Sequence, residues 1–182
     1  MILSRLLFPK SIAFIGGNEC DIAIRRTREL GFAGTIHAVH PSREQLGGIA
    51  TVKSVDDITG EIDAAFIAVK REPTIEIVRS LRKQNCGGAV IYAAGFAETG
   101  ATHLQDELLD AADGMPLMGP NCYGFINTLS KVALWPDEHG LKPPRQRCGH
   151  HNAIRQHRLQ SHLHKACSSY CCCLHHRQSG RY

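Results

Sequence analysis

Ser11-Ile12-Ala13-Phe14-Ile15-Gly16-Gly17-Asn18-Glu19-Cys20-Asp21 decides the fold of this 182-residue chain. Residues 11–15 are a short apolar run with no polar alternation, and two glycines end it. A strand with no wet side is covered on both faces. Residues 21–30 then read as a helix, with Ile22, Ile24 and Leu30 set among Arg and Glu, and Gly31 and Gly34 stop it. An apolar strand, a glycine turn and a helix form one unit of a repeating pattern.

The pattern recurs down the chain. Strands are expected at 35–39, 64–69, 88–94 and 115–118. A turn or short helix start is expected at Asp56-Asp57-Ile58-Thr59. The helix at 74–84 places Ile75, Val78 and Leu81 on one face, with Arg79, Arg82 and Lys83 toward the other. The helix at 102–112 turns Leu104, Leu108 and Leu109 inward. Apolar strands alternating with helices predict a parallel sheet covered on both faces, with right-handed crossovers. The fold class is α/β, a Rossmann-like doubly wound parallel sheet. Ligands of such sheets sit at the carboxyl ends of the strands, near the switch in strand order.

The formal net charge of +4 averages two unlike regions. Residues 1–138 carry 13 Lys and Arg against 17 acids, so the body is mildly acidic. Residues 139–182 hold 8 Lys and Arg and no acid. The body gives no reason to expect nucleic acid or a membrane surface as partner. Residues 1–8 have an apolar stretch but no small-residue cleavage site, and no apolar run is long enough to span a bilayer. Cys20, Cys86 and Cys122 are scattered through the body. A cytoplasmic, reducing location is the expectation.

Five loops follow the predicted strands. Gly16-Gly17-Asn18 lets the backbone approach a phosphate at a helix N-terminus, although no third glycine completes a dinucleotide fingerprint and Glu19 and Asp21 are acidic neighbours. A strand-to-helix turn with no ligand accounts for the same residues. His40-Pro41-Ser42-Arg43 reads as a surface turn with a solvated Arg, or as a turn that presents Arg43 to phosphate oxygens. No acid at this strand end would bind a ribose 2′-OH, which favours a phosphorylated adenosine over NAD. Val69-Lys70-Arg71-Glu72-Pro73 puts two cations before a helix, facing either solvent or an anion. Ala94-Gly95-Phe96-Ala97-Glu98-Thr99-Gly100 permits close backbone approach at Gly95, and Thr99 or Gly100 can begin the next helix. In Gly119-Pro120-Asn121-Cys122-Tyr123-Gly124, Asn121 tolerates unusual φ. Cys122 reads as a small pocket-lining residue, since no sequence neighbour suggests a base to activate it.

The segments around Ser11–Gly17, Gly95–Glu98 and Gly119–Gly124, in that order, resemble the CoA-binding domain of NDP-forming acyl-CoA synthetases. This family includes ADP-forming acetyl-CoA synthetases and the α subunit of succinyl-CoA synthetase. The resemblance covers residues 1–138. It implies coenzyme A, or acyl-CoA, as ligand. Gly16, Gly17, Asn18, His40, Pro41, Arg43, Val69, Lys70, Gly95, Asn121 and Cys122 would hold its phosphates, adenine and pantetheine arm. His40 and Ser42 stand where the family has Asn and Lys, and Arg43 could supply the missing cation. In intact family members an acyl phosphate forms, and its phosphoryl group passes through a histidine to a nucleoside diphosphate on an ATP-grasp domain or subunit. None of His37, His40 and His103 falls in a matching motif. The resemblance therefore implies a fragment that binds CoA and catalyses nothing, with no catalytic residue and no metal site.

The tail, 139–182, shows no helical or alternating period. Its Cys171-Cys172-Cys173-Leu174-His175-His176 run admits adventitious metal binding, but adjacent side chains do not easily share one tetrahedral ion. A basic tail for nucleic acid lacks aromatics for stacking. A third reading is a reading frame slipped by one base near residues 139–148. The codons of 148–160 then permit a T-Q-S-G string of the kind that opens the family's second domain. Such a peptide is expected to be disordered. Two further functions remain open: an NAD-binding oxidoreductase or redox-sensing domain, and a regulatory CoA-sensing domain fused to an acetyltransferase.

Overall fold

The computed structural model describes residues 3–141. The expectations for residues 142–182, namely disorder, the His- and Cys-rich tail and the slipped frame, lie outside the described residues.

Strand β1 (Ser11–Gly16) is buried at all six positions because its side chains feed two cores in alternation. Ile12 and Phe14 enter one; Ala13 and Ile15 enter the other. This is the period of two that a pleated strand imposes. Strands β2 (Thr35–Val39), β3 (Gln45–Leu46), β4 (Ile49–Val52), β5 (Ala64–Ala68), β6 (Ala89–Ile91) and β7 (Leu117–Met118) complete a seven-stranded sheet. Its order is β3-β4-β2-β1-β5-β6-β7. Every pair is parallel except β3 with β4 at the edge. The doubly wound α/β sheet expected from the sequence is present, and its order reverses between β1 and β5.

On one face, helices α3 (Arg71–Lys83) and α4 (Thr102–Ala112) bury Ile75, Val78, Leu81, Leu108, Ala111 and Ala112 against Ile15, Ile67 and Ile91. Burying each large apolar side chain contributes about 1.5–3 kcal/mol before the entropy of ordering it is counted. Leu109, expected inward, is half exposed. It lies one residue beyond Leu108, about 100° further round a helix of 3.6 residues per turn. On the other face, α2 (Asn18–Glu29) inserts Cys20, Ala23 and Ile24, and the short α1 (Ser4–Leu7) inserts Leu6. A hairpin closes the rest of this face: β8 (Phe125–Asn127) and β9 (Val132–Leu134) are antiparallel, and Val132 and Leu134 are buried.

Helices α2 and α3 begin three residues before the expected positions. Glu19 and Asp21 fall in the first turn of α2, where the exposed N–H groups favour negative charge. Pro73 falls in the first turn of α3, where its missing N–H removes no helical hydrogen bond. The strand expected at 88–94 ends at Ile91; the Tyr92 N–H still donates to the Ile67 carbonyl of β5 at 3.0 Å, and residues 93–95 lie outside the strand. The expected turn at 56–59 is a short 3₁₀ helix, Val55–Asp57. Thr99 ends another, Ala97–Thr99, and α4 starts only at Thr102. The sequence reading did not include α1, β3, β4, β8 or β9, each too short to show a period.

A candidate ligand cleft at the switch of the sheet

Gly16 ends β1 with φ +146°. A Cβ there would run into the Ala68 carbonyl oxygen of the neighbouring strand, so the two strand ends close up only around a hydrogen. Gly17 then caps α2, and Val69 and Lys70 lead into α3. These two loops part at the reversal in strand order, where a cleft opens at the carboxyl ends of parallel strands.

Gly17, Glu19, Ala68, Val69, Lys70 and Arg71, from the ends of β1 and β5, line this cleft of about 740 Å³. Tyr92, Ala93, Ala94, Asn121, Cys122 and Tyr123, from the segments after β6 and β7, line it as well. That volume lies within the usual range for small-molecule sites. The Asn121 bend is built by the backbone. Its φ is +55°, its N–H donates to the Ala93 carbonyl at 2.8 Å, and the Cys122 N–H donates to the Ile91 carbonyl at 3.1 Å. The segment thus takes up the hydrogen bonds left where β6 ends.

Of the residues singled out from the sequence, Gly17, Val69, Lys70, Asn121 and Cys122 meet in the cleft itself. Asn18 and Arg43 adjoin it. Arg43 Nη2 donates to Asn18 Oδ1 at 2.9 Å and lies 3.9 Å from where a Gly17 Cβ would sit. His40 builds the turn that presents Arg43, because its Nδ1 accepts the N–H groups of Ser42 at 3.1 Å and Arg43 at 3.0 Å. Pro41 sits in that exposed turn, away from the cleft wall. Gly16, the last residue of β1, does not line the cleft. Gly95 joins through Arg71, whose Nη1 donates to its carbonyl at 2.9 Å.

Charge is unevenly spread. Lys70 at the head of α3 makes no ion pair among the described residues, whereas Arg71 pairs with Glu72 Oε1 at 2.9 Å. Glu98 accepts the Gly95 N–H at 2.6 Å and the Phe96 N–H at 3.2 Å. The Gly95 bond foremost holds its carboxyl below the usual range. Glu98 therefore closes its own loop. Asp21 also turns elsewhere, accepting the Gly47 N–H at 2.6 Å. Among the acids read as poor neighbours for phosphate, only Glu19 lines the cleft. Burial drives the Cys20 thiol far above its ordinary pKa, so it is a packing group under the turn.

Tyr92 and Tyr123, which line the cleft, were not singled out from the sequence. Tyr92 closes an apolar run and reads as one more strand residue. Burial, then its hydrogen bond to Tyr123, raises its pKa. A second hollow, of about 600 Å³, lies at the opposite ends of the strands. Its Arg5 is committed to Asp63 Oδ1 at 2.7 Å, and no glycine-turned helix start opens onto it.

Comparison with known proteins agrees with this fold. Residues 10–128 match the profile of a family described as the CoA binding domain. A trans-feruloyl-CoA synthase from an unknown prokaryotic organism is 36% identical over 151 residues, covering 78% of this chain and 21% of that protein. The ADP-forming acetate–CoA ligase I of Archaeoglobus fulgidus is 35% identical over 133 residues, 69% of this chain and 19% of the ligase. Among solved structures, the apo dinucleotide-forming acetyl-coenzyme A synthetase 1 of Ca. Korarchaeum cryptofilum superposes with a TM-score of 0.69 at 26% identity. The match covers 73% of this chain and 31% of that one. The chain spans about a fifth of the length of the first two relatives.

Proposed function

The chain belongs to the family of CoA-binding domains found in ADP-forming acyl-CoA synthetases, and from that premise we propose that the cleft between Gly17 and Cys122 binds coenzyme A or an acyl-CoA. The observation that carries this reading is the meeting of Gly17, Lys70, Asn121 and Cys122 at the switch of the sheet. The α2 N-terminus and Lys70 take the pyrophosphate, since unpaired N–H groups and a helix dipole favour anions. Arg43, steadied by Asn18, takes the 3′-phosphate. Gly95 and Asn121 let backbone close around the pantetheine arm.

The domain ends near residue 138 and acts as the N-terminal piece of an acid–thiol ligase. In the whole enzyme an ATP-grasp domain or subunit supplies the nucleotide chemistry. The acyl groups named for its relatives are acetate, 4-hydroxybutyrate and ferulate.

Calorimetric titration of the full chain with CoA, dephospho-CoA, NAD and ATP tests the reading. A charge-assisted hydrogen bond contributes about 1.5–3 kcal/mol, so CoA should bind at least roughly tenfold more tightly than dephospho-CoA. Arg43→Ala should bring the two ligands level. Binding of NAD without binding of CoA would overturn the assignment. An Arg43→Ala protein that still prefers CoA by the full margin would remove Arg43 from its role.

A further inference from the structure

Five aromatic rings run outward from the core, and two of them, Tyr92 and Tyr123, line the cleft. Phe14 meets Phe66 at 6.2 Å between centroids, Phe66 meets Tyr92 at 6.3 Å, Tyr92 meets Tyr123 at 5.5 Å and Tyr123 meets Trp135 at 5.1 Å. The first two are fully buried and anchor the series. Tyr123 is 49% exposed. Tyr92 abuts it at 72°, in an edge-on arrangement, and Trp135 backs it at 53°. Tyr123 is therefore flanked by two rings before any ligand arrives, and about half of the residue remains exposed.

The open ring lies on the cleft wall beside Cys122 and Tyr92. The cations that suit phosphate come from the loops after β5 and β2, Lys70 in the cleft and Arg43 behind Gly17, whereas the rings come from the segments after β6 and β7. A ligand with an anionic nucleotide at one end and an acyl thioester at the other has its charged end claimed by those cations. Its acyl end is left to the rings. We infer that Tyr123, flanked by Tyr92 and Trp135, is a specificity-determining residue that stacks on the ring of an aromatic acyl thioester, of the hydroxycinnamoyl class. This rests on the cleft being the CoA site.

The physical case is preorganisation. Aromatic pairs with centroids 4.5–7 Å apart gain contact beyond simple area burial, and a ring already flanked by two others has less entropy to lose on binding. An acetyl group is too small to cover the exposed half of Tyr123 and leaves it wet. A planar cinnamoyl ring covers it.

The test measures dissociation constants of feruloyl-CoA, acetyl-CoA, CoA and adenosine 3′,5′-bisphosphate for the full chain, for Tyr123→Phe and for Tyr123→Ala. Urea midpoints monitor folding of each variant. The preference for feruloyl-CoA over acetyl-CoA is expected to be about tenfold in the wild type, retained in Tyr123→Phe, and near one in Tyr123→Ala. An equal affinity for the two thioesters in the wild type overturns the inference and leaves CoA binding intact. So does a preference that survives Tyr123→Ala. If Tyr123→Ala weakens adenosine 3′,5′-bisphosphate as much as feruloyl-CoA, the ring serves adenine and the inference fails. If neither CoA nor any thioester binds, the site assignment itself falls, and the inference with it.

Discussion

A single hydrogen at Gly16 decides how closely the two loops of the cleft can approach. Replacing it with a methyl group brings two penalties. The φ of +146° is one that L residues rarely adopt, and the new carbon strikes the Ala68 carbonyl rather than a flexible side chain. Gly114 supplies the comparison, with φ +79° and nothing within 4 Å of a Cβ. Gly114→Ala carries only the backbone penalty, about 1–2 kcal/mol. Gly16→Ala adds overpacking and should lose roughly 3–4 kcal/mol in all. Urea unfolding of both variants measures the difference. Equal losses would mean that the strand ends relax apart at no cost, and the close approach would then not be a constraint on the cleft. Other residues at this scale have structural partners that the sequence does not reveal. His40 holds its own turn, and Glu98 ties its own loop.

Asp63 joins three elements at the other end of the sheet. One of its oxygens accepts from Arg5 Nε of α1 at 2.7 Å; the other accepts the Lys10 N–H at 2.8 Å and the Ser11 N–H at 3.3 Å, where β1 begins. Burial pushes its carboxyl up, but the Arg5 hydrogen bond, the two backbone donors and the Arg5 charge outweigh it, and the net pKa is lowered. A group depressed in the folded state stabilises above its unfolded pKa and loses that contribution as pH falls through the folded value. Asp63→Asn offers one acceptor in place of two, so it should cost about 2 kcal/mol at pH 7. That gap should close as the pH drops below about 4. Urea midpoints of both proteins across this range give the answer, and a gap that widens on acidification would reverse the sign argued here. Elements with a long period were legible in the sequence: β1, β2, α4 and the buried stripe Ile75, Val78, Leu81 of α3. The short elements α1, β3, β4, β8 and β9 were not, because a period cannot be read from two to four positions. The glycine turns and the Asn121 bend were legible as local chemistry. Tyr92 and Tyr123 were not, because their role arises from rings brought together across 31 residues of chain.

The two ends of the described chain are clasped together, and this makes the α2 face of the sheet depend on residues far downstream. Asn127 Nδ2 and Ser130 Oγ both donate to the Leu7 carbonyl, at 2.8 and 3.0 Å, and Arg26 reaches Glu138 at 2.9 Å. The deepest link is Thr27, fully buried in α2. Its Oγ1 donates to the Ala133 carbonyl at 2.8 Å and accepts the Ala133 N–H at 3.2 Å. A helix side chain therefore serves both backbone groups of a β9 residue in place of another strand. Exposed pairs such as Arg26–Glu138 contribute little, so the buried pair of bonds should dominate the clasp. Thr27→Val keeps the shape and removes both bonds, leaving a buried donor and a buried acceptor without partners. Each such group costs about 1–3 kcal/mol, and a loss of at least 2 kcal/mol is expected in urea unfolding. Thr27→Ser keeps the hydroxyl and should recover most of it. Hydrogen exchange at the Ala133 amide locates the effect. If the amide stays protected in Thr27→Val while stability is unchanged, β9 is held by its apolar side chains alone and the clasp is incidental.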